Sequence, residues 1–350
     1  MVNRDGAPLA ALPRASIIVV NWNGLKHLET CLGSLAGLSF RDFEVLLVDN
    51  GSVDGSADFV RERFPWVRLV LLPENAGFAT GNNRGLDHAR GEYIVTLNND
   101  TRVEPEWLGI LIEVVEAHPR AGMVGSRICS FADPDVIDSL GMGICRDGMS
   151  RGRMRNRRWS SLRRAEVEEI LLPSACAALY RRVMLEEVGF FDEDFFAYAE
   201  DTDLGLRGRL AGWDALLATN AVVLHKYSRS GGRFSPFKVH LVERNHYWVA
   251  LKTFPLSCLL ALPLFTAVRY GEQLRCVVRG HGSGGEFLGS GARLPIVKAL
   301  LRGIWEAILG APRMLARRRH VMHSRKITWS AFAGLLRKHR ITFRELLEND

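Results

Sequence analysis

The chain has 350 residues, 47% apolar and 24% charged, with six cysteines and no C-x-x-C pair. This composition excludes disordered, collagen-like and disulfide-scaffold proteins and is compatible with a reducing compartment. The length allows two domains of about 150 residues or one α/β domain of about 250 residues with an extension, and we favour the second. The net charge of +7 is uneven, because residues 276–350 hold 14 Lys and Arg against 5 Asp and Glu. Charge alone does not choose between nucleic acid, an anionic membrane and phosphorylated substrates as the partner of this basic tail.

Short apolar runs alternate with amphipathic stretches in the first hundred residues. The runs predict buried parallel strands at 16–21, 43–49, 67–72 and 92–97. The stretches between them predict helices at 25–35, 56–64 and 81–89. This alternation predicts a doubly wound sheet with right-handed crossovers.

The pattern continues more weakly up to residue 252. It predicts strands at 122–129, 170–180 and 222–225, and helices at 107–117, 182–188, 202–211 and 238–252. Residues 151–164 contain seven arginines and no acid, so we expect a mobile loop there that could contact phosphate groups or be merely solvated.

The C-terminal region changes character. Residues 253–268 carry no charge, yet a helix of that length is too short for a clean membrane span, so interfacial or re-entrant insertion is expected. A glycine-rich linker is predicted at 280–291, followed by basic amphipathic helices at 294–319 and 327–338. Such helices dock on anionic lipid, and the alternative is that they pack on the main domain with a solvated face. The first 14 residues lack an apolar core, so no cleaved secretory signal is expected.

Polar residues follow three of the predicted strands, as NWNG at 21–24, DNGS at 49–52 and NNDT at 98–101. Open α/β sheets bind ligands at the carboxyl ends of their strands, so a site is expected there. Asp100 closes a buried strand, where an unpaired carboxylate would be costly, and a hard cation such as Mg²⁺ or Mn²⁺ is one solution. The alternative is an Asp that starts the helix before Pro105.

A second acidic cluster, Glu200, Asp201 and Asp203, follows an aromatic stretch. Apolar surroundings raise carboxyl pKa values, which suits a general base. Helix capping is the alternative, with Asp201 or Thr202 as the N-cap, and both interpretations can hold together. The glycines of residues 77–85 match neither a P-loop nor a dinucleotide fingerprint, which weighs against a kinase or a dehydrogenase.

The order of these motifs resembles the family 2 inverting glycosyltransferases, especially the rhamnosyltransferase-like branch. The series is SIIVVNWNG, VDNGSVDGS, ENAGFATGNNRG, LNNDT, FFDEDFFAYAEDTDLGLR and then His225, over residues 15–250. The resemblance implies a GT-A type α/β fold: a Rossmann-like, mostly parallel central sheet flanked by helices, here with a helical, membrane-associated C-terminal extension. It also implies a nucleotide-sugar donor and a divalent metal.

Carried over residue by residue, the resemblance assigns three groups of residues. Asp201 resembles the general base, with Glu200 and Asp203 as supporting acids. Asp100 and His225 resemble metal ligands, in a motif whose first position is Asn98 where the family usually has Asp. The positions that resemble the donor site are Asn21, Asn23, Asp49, Asn50, Asn75, Gly77, Phe78, Gly81, Asn82, Asn98 and Asn99.

The resulting expectation is a metal-dependent inverting transferase in cell-wall polysaccharide biosynthesis, moving rhamnose from dTDP-rhamnose to a lipid-linked (polyprenyl diphosphate) or glycan acceptor. The predicted organisation is a tail at 1–14, a catalytic domain at 15–250 divided into 15–104 and 105–250, and a membrane-associating region at 251–350. We expect a peripheral or monotopic place on the cytoplasmic face of the membrane and no nucleic-acid partner, and a homo-oligomer is left open. The alternatives are a UDP-sugar donor, such as UDP-galactofuranose or UDP-N-acetylglucosamine, and a catalytically silent sugar-nucleotide binder.

Overall fold

The computed structural model describes residues 12–226, 235–279 and 293–348, which form a ten-stranded mixed sheet flanked by helices, a separate two-stranded sheet of Met142–Ile144 and Ser150–Gly152, and long C-terminal helices. The strands are β1 (Ala15–Asn21), β2 (Phe43–Asn50), β3 (Arg68–Leu72), β4 (Tyr93–Asn98), β5 (Thr101–Val103), β6 (Ala121–Ser130), β7 (Ile137–Ser139), β8 (Met142–Ile144), β9 (Ser150–Gly152), β10 (Val167–Glu169), β11 (Ala177–Arg181) and β12 (Asp214–His225). The helices are α1 (Leu25–Ala36), α2 (Ser56–Arg63), α3 (Gly77–His88), α4 (Trp107–Ala117), α5 (Arg182–Val188), α6 (Glu200–Leu210), α7 (Pro236–Thr253), α8 (Leu256–Arg279), α9 (Arg293–Ser324), α10 (Trp329–Lys338) and α11 (Phe343–Glu348).

The sheet runs in the order β10-β12-β6-β11-β4-β1-β2-β3, and β4, β1, β2 and β3 are parallel as predicted. β1 is apolar at consecutive positions because both faces of the sheet are covered. Ile17 and Val19 face a core that includes α1 and α4, whereas Ile18 faces a second core that includes α5. The predicted α/β fold with a mostly parallel central sheet is therefore confirmed, and the antiparallel insertion of β11 between β4 and β6 is an addition.

The prediction of a mobile loop at 151–164 is wrong. The segment begins in β9, which pairs with β8, and it contains a 3-10 turn at Trp159–Ser161. The Arg127 guanidinium stacks 4.1 Å from the centroid of the Trp159 ring, and an Arg158 nitrogen lies 3.0 Å from an Asp135 oxygen. The partners that hold this segment in place lie more than twenty residues away in the sequence. The local composition of the segment therefore could not reveal them.

The C-terminal helices share a hydrophobic core with the sheet domain. This core joins Leu206 of α6 and Trp248 of α7 to Met314 of α9 and Phe332 of α10. The predicted boundary between residues 250 and 251 falls inside α7, and the division of the chain into domains stays a prediction. Across 12–226, 235–279 and 293–348, no helix has the length and apolar content needed to cross a bilayer. The predicted linker lies outside the described residues.

Candidate active site

The carboxyl ends of β1 and β2 form a polar pocket around Asn21 and Asp49, both buried. The side-chain amide of Asn21 donates to Asp49 Oδ2 and to Ser52 Oγ, each at 3.2 Å. Asp49 Oδ1 accepts the Ser52 N–H at 2.9 Å. Exposed Asn23 lies on the rim, where its Oδ1 accepts the Val53 N–H at 2.9 Å. The first two predicted strand ends therefore meet in one pocket.

A second asparagine pair shapes the loop that follows β3. Buried Asn50 donates from Nδ2 to Asn75 Oδ1 at 3.0 Å and to the Gly77 carbonyl at 3.1 Å. Gly77 has φ +89°, and a Cβ there would lie 2.5 Å from the Phe196 carbonyl oxygen. Glycine is required at this position, because it permits that φ and brings the loop against the segment leading into α6.

The other predicted donor-loop residues lie in α3, which begins at Gly77 rather than at 81. Asn82 is buried and donates to the Phe78 carbonyl at 2.9 Å, and the Phe78 ring lies 5.9 Å from the Phe191 ring. A Cβ at Gly81 would meet Val20 at 2.8 Å. These contacts give all three residues packing roles, and donor binding by them stays a prediction.

The end of β4 joins the same edge. Asn99 donates from Nδ2 to Asn21 Oδ1 at 2.7 Å, which ties the LNND motif to the pocket of Asp49. The Asn98 N–H donates to the Cys176 carbonyl at 2.9 Å. Asp100 does not start a helix, because β5 follows it and α4 begins only at Trp107.

His225 lies beside Asp100 because β5 and β12 pair antiparallel with His225 opposite Thr101. His225 Nε2 is 3.2 Å from Asp100 Oδ1, and Nδ1 is 2.8 Å from Asp138 Oδ2. Burial alone would lower the pKa of His225, but the Cys176 sulfur and the carboxylates of Asp100 and Asp138 raise it well above its ordinary value. Sequence reasoning missed Asp138, which is 87 residues from His225 and carries no motif of its own.

The side chains of Asp100 and His225 offer one carboxylate oxygen and one imidazole nitrogen. Both are donor atoms that suit a divalent cation. Asp138 holds the other ring nitrogen, an arrangement that orients imidazole ligands in metal sites. Among the described residues, no group of three or more His, Cys, Asp or Glu side chains is arranged to hold a metal. Mg²⁺ usually takes only one or two protein carboxylates and completes its shell with phosphate oxygens and water, and metal binding by Asp100 and His225 stays a prediction.

Glu200 and Asp201 open α6 directly beside this edge. The N-cap is Ala199, so the prediction that Asp201 or Thr202 caps the helix is wrong. Half-buried Asp201 accepts the Ala175 N–H on Oδ2 and the Thr202 hydroxyl on Oδ1, both at 3.2 Å. Ala175 precedes Cys176, the partner of Asn98, so one short segment links Asp201 to the end of β4.

The two acids differ in their surroundings. Burial, reinforced by the charge of Asp201, raises the pKa of Glu200 to about 8, and Glu200 Oε2 has no hydrogen-bond partner. Burial also raises the pKa of Asp201, but the N–H donors of Ala175 and Thr202 oppose this shift. Of the two neighbouring acids, Glu200 is therefore the one that holds a proton more readily, because N–H donors favour the ionised form of Asp201.

Asp203 lies deeper than its two neighbours and is fully buried. Its oxygens lie 2.8 Å from Arg207 Nε and 2.8 Å from Lys252 Nζ. Burial tends to raise the pKa of Asp203, yet Lys252 and Arg207 bring it below its ordinary value. The pair with Lys252 ties α6 to α7, and the pair with Arg207 lies within α6, so the predicted supporting acid already has a structural task.

Comparisons of the sequence with known proteins identify its relatives. The model of glycosyl transferase family 2 matches residues 16–189. An N-acetylglucosaminyl-diphospho-decaprenol L-rhamnosyltransferase of Mycobacterium tuberculosis is 32% identical over 240 residues, which cover 62% of this chain and 77% of that protein. The O-antigen biosynthesis protein RfbC of Myxococcus xanthus is 28% identical over 71% of this chain and 19% of its own length.

Two solved structures share the fold. The mannosyltransferase PcManGT of Pyrobaculum calidifontis, in complex with GDP-Man and Mn²⁺, has a TM-score of 0.51 at 19% identity, covering 90% of this chain and 86% of its own. GalNAc-T7 with UDP, GalNAc and Mn²⁺ has a TM-score of 0.57 at 16% identity, covering 69% and 48%. The family model and the 32% identical relative together show that this chain belongs to glycosyl transferase family 2 and is a glycosyltransferase.

Proposed function

We propose that this chain transfers rhamnose from dTDP-rhamnose to a hydroxyl of a lipid-linked saccharide, with inversion at the anomeric carbon, in cell-envelope glycan biosynthesis. The donor and acceptor classes are taken from the Mycobacterium tuberculosis relative and from the rhamnosyltransferase-like motif series. The observation that carries the proposal is the placement of ionisable Asp201 beside the strand ends, with Asn99 and Asn21 linking those ends into one pocket.

The proposed chemistry needs one base. Asp201 accepts the proton of the acceptor hydroxyl while that oxygen attacks the anomeric carbon from the side opposite the leaving diphosphate, so a single displacement inverts the centre. The donors on Ala175 and Thr202 hold the carboxylate in place. Glu200, protonated beside it, removes a second negative charge from the site of attack.

A divalent cation, Mg²⁺ or Mn²⁺, belongs to the same proposal, and Asp100 and His225 would hold it. When bound, such a cation neutralises the charge that develops on the leaving nucleotide. Asn21, Asp49 and Asn99 would then line the pocket for the nucleoside end of the donor, since their side chains already form one hydrogen-bonded unit.

We propose that the chain binds an anionic membrane surface, on the cytoplasmic face, through its C-terminal helices. Exposed apolar side chains follow helical spacing on two helices: Leu256, Leu260, Leu264 and Val268 on α8, and Leu294, Val297, Leu301, Trp305 and Ile308 on α9. Residues three or four apart share one helix face, so each helix presents an apolar stripe. Exposed basic residues Lys298, Arg302, Arg313 and Arg319 on α9 suit anionic headgroups.

A donor panel tests the reaction. Purified chain with Mg²⁺ or Mn²⁺ is given a prenyl-diphosphate-linked N-acetylglucosamine and, in separate reactions, dTDP-rhamnose, UDP-galactofuranose or UDP-N-acetylglucosamine. We expect a product of added rhamnose mass from dTDP-rhamnose alone, and NMR should show the inverted anomer. Transfer from a UDP-sugar instead would replace the donor assignment. Binding of a donor without transfer of any sugar would leave a silent binder and refute the proposal.

Vesicle sedimentation tests the membrane surface. We expect the chain to bind vesicles containing phosphatidylglycerol, and Leu260→Glu combined with Leu264→Glu should release it. The matched control is Val183→Glu on α5, since Val183 is also an exposed apolar residue of a helix. Unchanged binding of the double variant, or no binding of the wild-type chain, would contradict the proposed surface.

A further inference from the structure

The segment that leads into α6 has an unusual backbone. Phe196, Tyr198 and Ala199 have φ values of 64°, 69° and 66°, in the left-handed region that favours glycine. Non-glycine residues are strained in this region, so other contacts have to maintain the conformation. Ala199 directly precedes Glu200 and Asp201, and its carbonyl accepts the Asp203 N–H at 2.9 Å. The path of this segment therefore determines where the acids lie.

One side chain of α7 holds the segment. Asn245 is fully buried, and its Nδ2 donates to the carbonyls of Phe195, Ala197 and Tyr198 at 3.0, 2.9 and 2.7 Å. Arg244 Nε donates to Asn245 Oδ1 at 2.9 Å. The amide nitrogen of Asn245 faces three carbonyl acceptors, and its amide oxygen faces a guanidinium donor. Only this orientation of the amide satisfies the network.

Arg244 adds to the same support. Its Nη2 donates to the carbonyls of Asp194 and Phe195, each at 3.0 Å, and its guanidinium lies 4.3 Å from the Trp248 ring centroid. Asn245 has a distinct task, since its Nδ2 also reaches the carbonyls of Ala197 and Tyr198. A side chain of the C-terminal helices thus sets the backbone next to the first turn of α6.

We infer that Asn245 is a positioning residue for transfer, which holds the segment 196–199 so that Asp201 faces the acceptor; this rests on the function proposed above. A misplacement of about 1 Å at a reacting group costs on the order of 100-fold in rate. Removing the amide should therefore impair the chemical step more than donor binding, because Asn21 and Asp49 lie on β1 and β2, whereas the segment contacts the donor loop at Gly77.

The test compares Asn245→Ala with the wild-type chain in full-length protein. We expect kcat to fall about 10- to 100-fold and the donor KM to stay within about threefold. Hydrogen exchange should quicken at least about tenfold in the amides of residues 196–201, because their local opening becomes easier. The control is Val249→Ala, a buried core truncation one turn along α7, which should leave kcat and this exchange unchanged.

Several results would overturn the inference. They are a kcat within about threefold of wild type, a donor KM that rises as far as kcat falls, and the same losses in Val249→Ala. Asn245→Ser serves as a second variant if Asn245→Ala does not fold, and failure of both to fold would assign Asn245 to general stability instead. If the wild-type chain transfers no sugar, the proposed function fails, whereas the exchange measurement still decides whether Asn245 holds the segment.

Discussion

Removing Arg269 should reveal how firmly α8 belongs to the fold. Arg269 and Asp147 are fully buried and Glu243 nearly so. Arg269 Nε lies 2.5 Å from Asp147 Oδ2, and Nη2 lies 2.8 Å from Glu243 Oε1. Burial tends to lower the pKa of Arg269, but the two carboxylates raise it above its ordinary value, so the guanidinium is charged at every working pH. The trio joins α8 to α7 and to the β8–β9 hairpin.

Arg269→Ala leaves two buried carboxylates without their cation. Breaking a buried ion pair in this way costs about 3–5 kcal/mol, since the remaining charge keeps its desolvation penalty. The control is Arg275→Ala on the same helix, where an exposed guanidinium lies 3.4 Å from Glu272. Surface pairs of that kind contribute about 0–1 kcal/mol.

Urea unfolding of both full-length variants, followed by far-UV circular dichroism, measures the difference in the free energy of unfolding. We expect Arg269→Ala to lose several kcal/mol and Arg275→Ala to stay close to wild type. If the two variants differ by less than about 0.5 kcal/mol, the buried trio does not hold α8, and the C-terminal region would have to be regarded as a loosely attached extension.

Three further substitutions follow from the site. Gly77→Ala should destabilise the fold by about 1–3 kcal/mol in thermal or urea unfolding, because φ is +89° and a Cβ would meet the Phe196 carbonyl. The control is Gly33→Ala in α1, which has open space around it and should be neutral or stabilising. Equal effects of the two substitutions would contradict this prediction. Between about pH 5 and pH 8 the folded chain keeps a proton on Glu200 that the unfolded chain releases, so the stability of the wild-type chain falls by up to about 1.4 kcal/mol per pH unit. Glu200→Gln should remove this fall. Parallel pH profiles of unfolding for the variant and the wild type would refute the raised pKa. Asp138→Asn should weaken Mn²⁺ binding, measured by electron paramagnetic resonance, about 10- to 100-fold because Asp138 orients His225, and unchanged affinity would remove that role.

Much of the site could be predicted because its residues stand at the ends of apolar runs. Asn21, Asp49 and Asp100 follow strands recognisable from consecutive Val, Ile and Leu, and parallel strands bring such ends to one edge. The placement of His225 needed the short strand β5, three residues that no periodicity signals. A local sequence pattern therefore identifies the residues at the strand ends but not which side chains contact each other there.

The residues that were missed act across long sequence separations. Asp138 reaches His225 over 87 residues, and Asn245 reaches Ala197 over 48. Neither belongs to a motif with a readable spacing, because their partners are a ring nitrogen and backbone carbonyls. The prediction of capping by Asp201 or Thr202 was wrong for a related reason: left-handed Ala199, held by its surroundings, starts α6 without a side-chain cap.

The central claim is that Asp201 accepts the proton of the acceptor while the donor lies over the strand ends. Asp201→Asn keeps the shape of the side chain and removes its basicity, and single-turnover transfer and donor affinity can be measured on the same preparation. We predict that transfer falls at least about 100-fold while the donor Kd stays within about twofold. Transfer within about threefold of the wild-type rate, with the donor still bound, would contradict the claim.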